Sequence, residues 1–158
     1  MAFLEWLEYS ALADWVATSI WGYPILLTAH SVGLAIIVGI LFVLNLRLLG
    51  LFSDIAIVSL SGLLKLAWSG FILNLVSGFC LFSSQATFFV THIAFLVKIA
   101  AILLAIVNAA FIQNLIKTQG DYWDSGGEVS GLAKGLAMVS LLLWLTAIIA
   151  GRLIAYID

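Results

Sequence analysis

Apolar residues run through this chain in four long blocks, divided by short polar stretches. They extend from Trp21 to Leu49, Leu63 to Phe82, Phe89 to Ile116 and Leu132 to Ile157. About 20 apolar residues in a helix cross a bilayer, and every block reaches that length. The pattern predicts membrane spans at 21–49, 63–82, 89–116 and 132–157, several long enough to tilt or enter the headgroups. The expected fold class is all-α: an integral membrane four-helix bundle in one domain, 1–158.

Ahead of the first block the pattern changes. Phe3, Leu4, Leu7, Ala11, Leu12, Trp15, Val16 and Ile20 recur at helical spacing, with Glu5, Glu8 and Asp14 between them. This predicts a separate amphipathic helix over 1–20 in the interface, because its acidic side is ill placed in lipid. Trp21-Gly22-Tyr23-Pro24 breaks it, with Pro24 suited to the first turn of the next helix. The acidic start does not resemble a cleaved signal peptide, which begins with positive charge.

Composition agrees with a membrane protein. The chain has 158 residues, 65% hydrophobic and 9% charged, with mean hydropathy +1.24; soluble domains carry about 25% charged residues. A net charge of −2 with no basic run argues against nucleic acid. One cysteine, Cys80, excludes an internal disulfide framework. No phosphate-cradling loop, paired intramembrane carboxylates or metalloprotease motif points to a hydrolase or a nucleotide-driven pump. Arg47 and Lys65 flank the first loop, and Lys117 and Lys134 the third, whereas the C-terminus has only Arg152. The positive-inside bias therefore predicts both termini outside.

Two histidines, His30 and His92, lie within the apolar blocks. Ionisable side chains there line cavities, meet partners or bind ligands, and two imidazoles can fill both axial positions of a b-type haem. The spans place both in the outer half at similar depth. Gly33, one turn from His30, would let a flat macrocycle approach, or serve packing beside the small row Ser31, Ala35, Gly39. Hydrogen-bonded structural histidines, or another ligand, metal or proton pathway, are the alternatives.

Lys98 is the most anomalous charge, deep in the third block and six residues beyond His92. Six residues turn a helix by about 600°, so the two point to different sides. Lys98 is expected to contact a haem propionate, a quinone or another bound ligand. Cys80 could join the histidines around copper, or act as a small hydrophobe. Asn74, in the row Gly70-Asn74-Gly78, and Asn108 suggest hydrogen bonds between helices, with ligand contact as the alternative. Arg47 and Arg152 read as anchors at span ends. The stretch QGDYWDSGGEVSG reads as a solvated connector.

The motifs resemble those of an uncharacterised family of small bacterial four-helix inner-membrane proteins. The entry Trp21-Gly22-Tyr23-Pro24, His30 with Gly33, the exit Asn45-Leu46-Arg47-Leu48-Leu49-Gly50, Ser77-Gly78-Phe79-Cys80-Leu81-Phe82, and then Phe95, Lys98 and Asn108 carry the likeness. Two positions depart from it: Asn45 stands where an aspartate is usual, and Leu27 where a glutamate often precedes the histidine. More distantly the chain is similar to haem-b membrane proteins of the CopD and HemJ type, through a histidine in the first helix and a histidine-plus-lysine in the third.

The expectation is a haem b-binding inner-membrane protein with an electron-transfer or redox-sensing role, multi-pass, with periplasmic termini. His30 and His92 would ligate the iron, with Gly33 and Lys98 completing the site. It would work with a quinone or redox protein partner, as a homo-oligomer or a subunit of a membrane complex. The alternative is a non-redox scaffold, small-molecule binder or transport accessory in the lipid bilayer.

Overall fold

A computed structural model describes residues 2–156. Among them there is no strand, and four helical stretches are long and apolar enough to cross a membrane. The protein is an all-α, multi-pass membrane bundle. Its elements are α1 (Ala2–Glu8), α2 (Ala11–Thr18), α3 (Gly22–Leu48), α4 (Ile57–Gly62), α5 (Leu64–Ser83), α6 (Ala86–Thr91), α7 (Ile93–Asp124) and α8 (Gly131–Leu153). The spans are α3, α4 with α5, α7 and α8. The fourth predicted span reaches Ile157, which lies outside the described residues, as does Met1.

The N-terminal segment folds as two helices instead of the single one expected over 1–20. Ser10 divides them: its hydroxyl accepts from Ala13 N at 3.2 Å and starts α2. Ser19 ends α2, and its hydroxyl accepts from the N–H groups of Trp21 and Gly22, starting α3. The pair packs across one end of the bundle, α1 on α6 and α2 on α3 and α5. Glu8 accepts from Thr87 N at 2.8 Å and from Thr87 Oγ1 at 2.7 Å. That carboxylate satisfies the start of α6, whose own Gln85 supplies no side-chain cap. An acid with no clear partner in sequence is thus a helix cap.

Helix α7 starts later and ends later than its apolar block. The block's first three residues, 89–91, end α6, and α7 then continues to Asp124 through what reads as loop. Trp123, buried within a cluster with Leu48, Ile57 and Ile116, explains the extension. Gly126, at φ 97°, stops it; its N–H donates to Trp123 O, and Gly127 N donates to Tyr122 O at 2.9 Å.

Helix α3 lies between α5 and α8, and α8 packs on α7. The α3–α5 contact is close because glycines face it: a Cβ on Gly33 would lie 2.7 Å from Gly70 O, and one on Gly70 would lie 2.8 Å from Ile36 Cγ2. The row Ser31, Ala35, Gly39 points outward instead, with nothing within 4 Å of a Cβ on Gly39. Buried amides stitch the helices: Asn45 Nδ2 donates to Ser140 Oγ at 2.8 Å, and Asn108 Nδ2 to Leu136 O at 3.0 Å.

Four antiparallel spans give the bundle a terminal end, carrying α1, α2, α6 and the end of α8, and a loop end. At the loop end Arg47, expected as a span-end anchor, is buried. Its Nε donates to Ile55 O at 2.6 Å and its Nη2 lies 3.7 Å from Asp124 Oδ1. Asp124 also accepts from Ile57 N at 2.7 Å and Val58 N at 3.0 Å, capping α4. One carboxylate therefore joins α3, α4 and α7.

Candidate functional site

His30 projects from α3 toward α5 and α7, half-buried. Its Nδ1 lies 3.0 Å from the carbonyl oxygen of Asn74. A carbonyl only accepts, so Nδ1 carries the hydrogen and Nε2 of the neutral ring is left as an acceptor. Asn74 returns the bond, its Nδ2 donating to His30 O at 2.7 Å. Ser77 Oγ lies 3.3 Å from the same Nδ1 while donating to Leu73 O at 2.6 Å. The row Gly70-Asn74-Gly78 thus faces α3, and Asn74 fixes both the tautomer and the ring direction.

Nε2 points at Lys98, whose Nζ lies 3.5 Å away, a polar contact at the outer limit of hydrogen bonding. Two glycines make room for the pair. A Cβ on Gly78 would lie 2.9 Å from His30 Cε1, and one on Gly151 would lie 3.3 Å from Lys98 Cδ.

The pair opens onto a cavity of about 500 Å³ at the terminal end. It is bounded by α2, α3, α5, α6, α7 and the end of α8, with Tyr23, Phe89, Phe95 and Arg152 in its wall. Phe82, Phe89 and Phe95 form an aromatic group, with centroids 5.2–6.0 Å apart. Arg152 is held by Tyr156, Nη2 to the phenol oxygen at 3.3 Å and the guanidinium over its ring at 5.5 Å. Among the described residues the wall carries two basic side chains and no carboxylate, which favours an anionic or electron-rich ligand. A space of this size suits a small organic ligand.

His92 is not in that wall. It ends α6 and starts α7 in extended conformation, buried, its ring 5.0 Å from that of Phe88. The break between α6 and α7 sets it at the mouth of the helix. Lys98, six residues and about 9 Å further along, is the residue whose side chain reaches His30. His30 is thus paired with Lys98 in this wall, and His92 lies outside it.

Gly33 takes the packing role, one of the two expected of it. The space its missing side chain leaves is filled by the backbone of α5 at Gly70 and Asn74, so it serves helix packing and gives no clearance in the cavity. Cys80 is partly buried and outside the wall. No group of three His, Cys, Asp or Glu side chains among the described residues is placed to hold a metal ion. Tyr23, Gly151 and the place of Arg152 in this wall were not expected from the sequence. The pair Gly151-Arg152 closing an apolar run was the available signal. The chain matches no protein-family model, no curated protein and no solved structure.

Proposed function

We propose that this protein binds haem b in the terminal-end cavity, with His30 as an axial ligand, and serves electron transfer or redox sensing. One observation carries the reading: His30 donates Nδ1–H to a backbone carbonyl and turns Nε2 toward a cavity with aromatic and cationic walls. Ligating histidines are held in that way, the second-shell bond fixing the tautomer and raising ligand basicity. The residues fit the group. Asn74 orients His30 and the phenylalanines line the space; Lys98, whose Nζ lies 3.5 Å from Nε2, would have to leave the imidazole for a propionate before His30 could ligate, with Arg152 beside it. Haem would supply a one-electron couple tuned by these neighbours. The motif likeness to CopD and HemJ-type proteins points the same way.

The membrane assigned is the bacterial inner membrane, with the terminal end periplasmic. Lys65, Lys117 and Lys134 cluster toward the loop end, in keeping with the positive-inside bias. A redox protein or quinone would exchange the electron, with the chain acting as a homo-oligomer or a complex subunit.

The Lys98–His30 contact favours a second reading: a non-redox binder whose cations clamp the carboxylate or phosphate of an amphiphile. Visible spectra of protein purified from haem-sufficient cells decide between them. A Soret band with sharp reduced bands, lost in His30→Ala, supports haem. A featureless spectrum overturns it and leaves the amphiphile binder.

A further inference from the structure

The four spans form two hairpins, α3 with α5 and α7 with α8, each bonded within itself. His30 and Asn74 exchange bonds in the first, and Asn108 donates to Leu136 O in the second. Between the hairpins α3 packs on α8, but no Cα of α5 comes within 8 Å of one in α7, so that flank is open.

The two ends are joined unequally. Two buried apolar clusters span both hairpins, from Leu48 and Trp123 at the loop end to Ile37 and Trp144 near the middle. Polar links lie in the same half: Asn45 to Ser140 at 2.8 Å, and Asp124 to Arg47 and to the start of α4. Beyond Ile37 the cavity separates the hairpins, and its wall draws on all four spans. Across it Lys98 of one hairpin meets His30 of the other at 3.5 Å. The connector at this end, α6, is flanked by Gln85 and His92, both outside helical geometry. Residues at the ends of elements are the ones that absorb a hinge rotation.

We propose that the Lys98–His30 contact is a clasp: a ligand that takes either atom parts the hairpins at the terminal end, and they swing about the packed loop half. The Nε2 of a neutral imidazole has one lone pair, so it cannot serve Lys98 and a ligand together. About 22 Å of α3 separates His30 from Asn45, the polar link nearest the middle. A swing of about 10° about that link moves the terminal end by about 4 Å. Occupancy of the cavity is thereby read out as the spacing of helix ends. The clasp stands on the geometry; its opening by a ligand rests on the cavity being the binding site proposed above.

Pairs of spin labels on the full chain in nanodiscs measure the spacing, in a Cys80→Ser background that removes the one native thiol. Phe79→Cys with Ile149→Cys samples the terminal end, and Leu66→Cys with Met138→Cys the loop end; all four positions are exposed. Lys98→Met should lengthen the terminal distance by about 4 Å and leave the loop-end distance unchanged. Gly78→Ala should act in the same direction, since its Cβ would lie 2.9 Å from His30 Cε1 and press the ring aside. Haemin bound to the labelled protein with Lys98 and Gly78 intact should do the same. Unchanged terminal spacing in both variants would overturn the clasp, and so would an equal change at both ends, which means general loosening. Haemin that binds and moves neither distance would overturn opening by a ligand. Haemin that fails to bind would sink the haem reading alone, with Lys98→Met still deciding the clasp.

Discussion

Lys98 on α7 and His30 on α3, 68 residues apart, meet with Nζ 3.5 Å from Nε2. This contact shows how a lysine is accommodated deep in the bundle with no acidic neighbour in the cavity wall among the described residues. The Asn74 carbonyl takes the one hydrogen of the neutral imidazole, so its other nitrogen faces the Lys98 amino group as an acceptor. Gly78 and Gly151 give the two side chains space.

The two histidines should behave differently. His30→Ala removes the cavity's imidazole and should abolish the haem spectrum while the protein stays in the membrane. His92→Ala should retain haem and lower thermal stability, since His92 packs against Phe88 outside the cavity. Loss of the Soret band in both variants would restore His92 as a ligand.

Lys98→Met keeps the length of the side chain and removes its charge. Hydrogen bonds to charged groups contribute about 1.5–3 kcal/mol, so haem affinity should fall about tenfold or more. Titration of apo-protein with haemin measures this. Undiminished affinity would remove Lys98 from propionate binding.

Gly33→Ala should destabilise the bundle by about 1–3 kcal/mol, the usual effect of overpacking. Its Cβ would lie 2.7 Å from Gly70 O, and that neighbour is backbone, which cannot turn aside. Gly39→Ala meets nothing within 4 Å and should be neutral or slightly stabilising. Melting temperatures in one detergent give the comparison; equal values for the two variants would contradict the α3–α5 packing.

At the loop end, Arg47→Met and Asp124→Ala should each cost about 3 kcal/mol or more, because either leaves a buried charge without its partner. The double variant should lose less than the sum of the two. Additive losses would mean that the pair at 3.7 Å is not coupled. Asp124→Ala should also loosen α4, visible as faster hydrogen exchange at Ile57 and Val58, whose N–H groups it caps.

The spans were legible because lipid imposes a simple rule on sequence: enough consecutive apolar residues to cross, with backbone bonds satisfied within the helix. The break at Trp21-Gly22-Tyr23-Pro24 could be read for a similar reason, since Pro24 is tolerated in a first turn. Asn74 and Asn108 could be read as links between helices because an amide in lipid needs a partner, although which carbonyl each would find could not be known.

Local pattern was silent wherever a partner distant in sequence supplied the missing group. Glu8 caps α6 and Asp124 caps α4, each from far along the chain. Sequence alone determined the class of protein, the number of crossings and the residues too polar for lipid to leave unused, His30, His92 and Lys98. Tertiary structure decided which of them meet. The chain breaks between α6 and α7 at His92, and the Lys98 side chain further along α7 meets His30. Helical rotation and depth follow from where a helix starts, and packing against neighbouring elements sets that start.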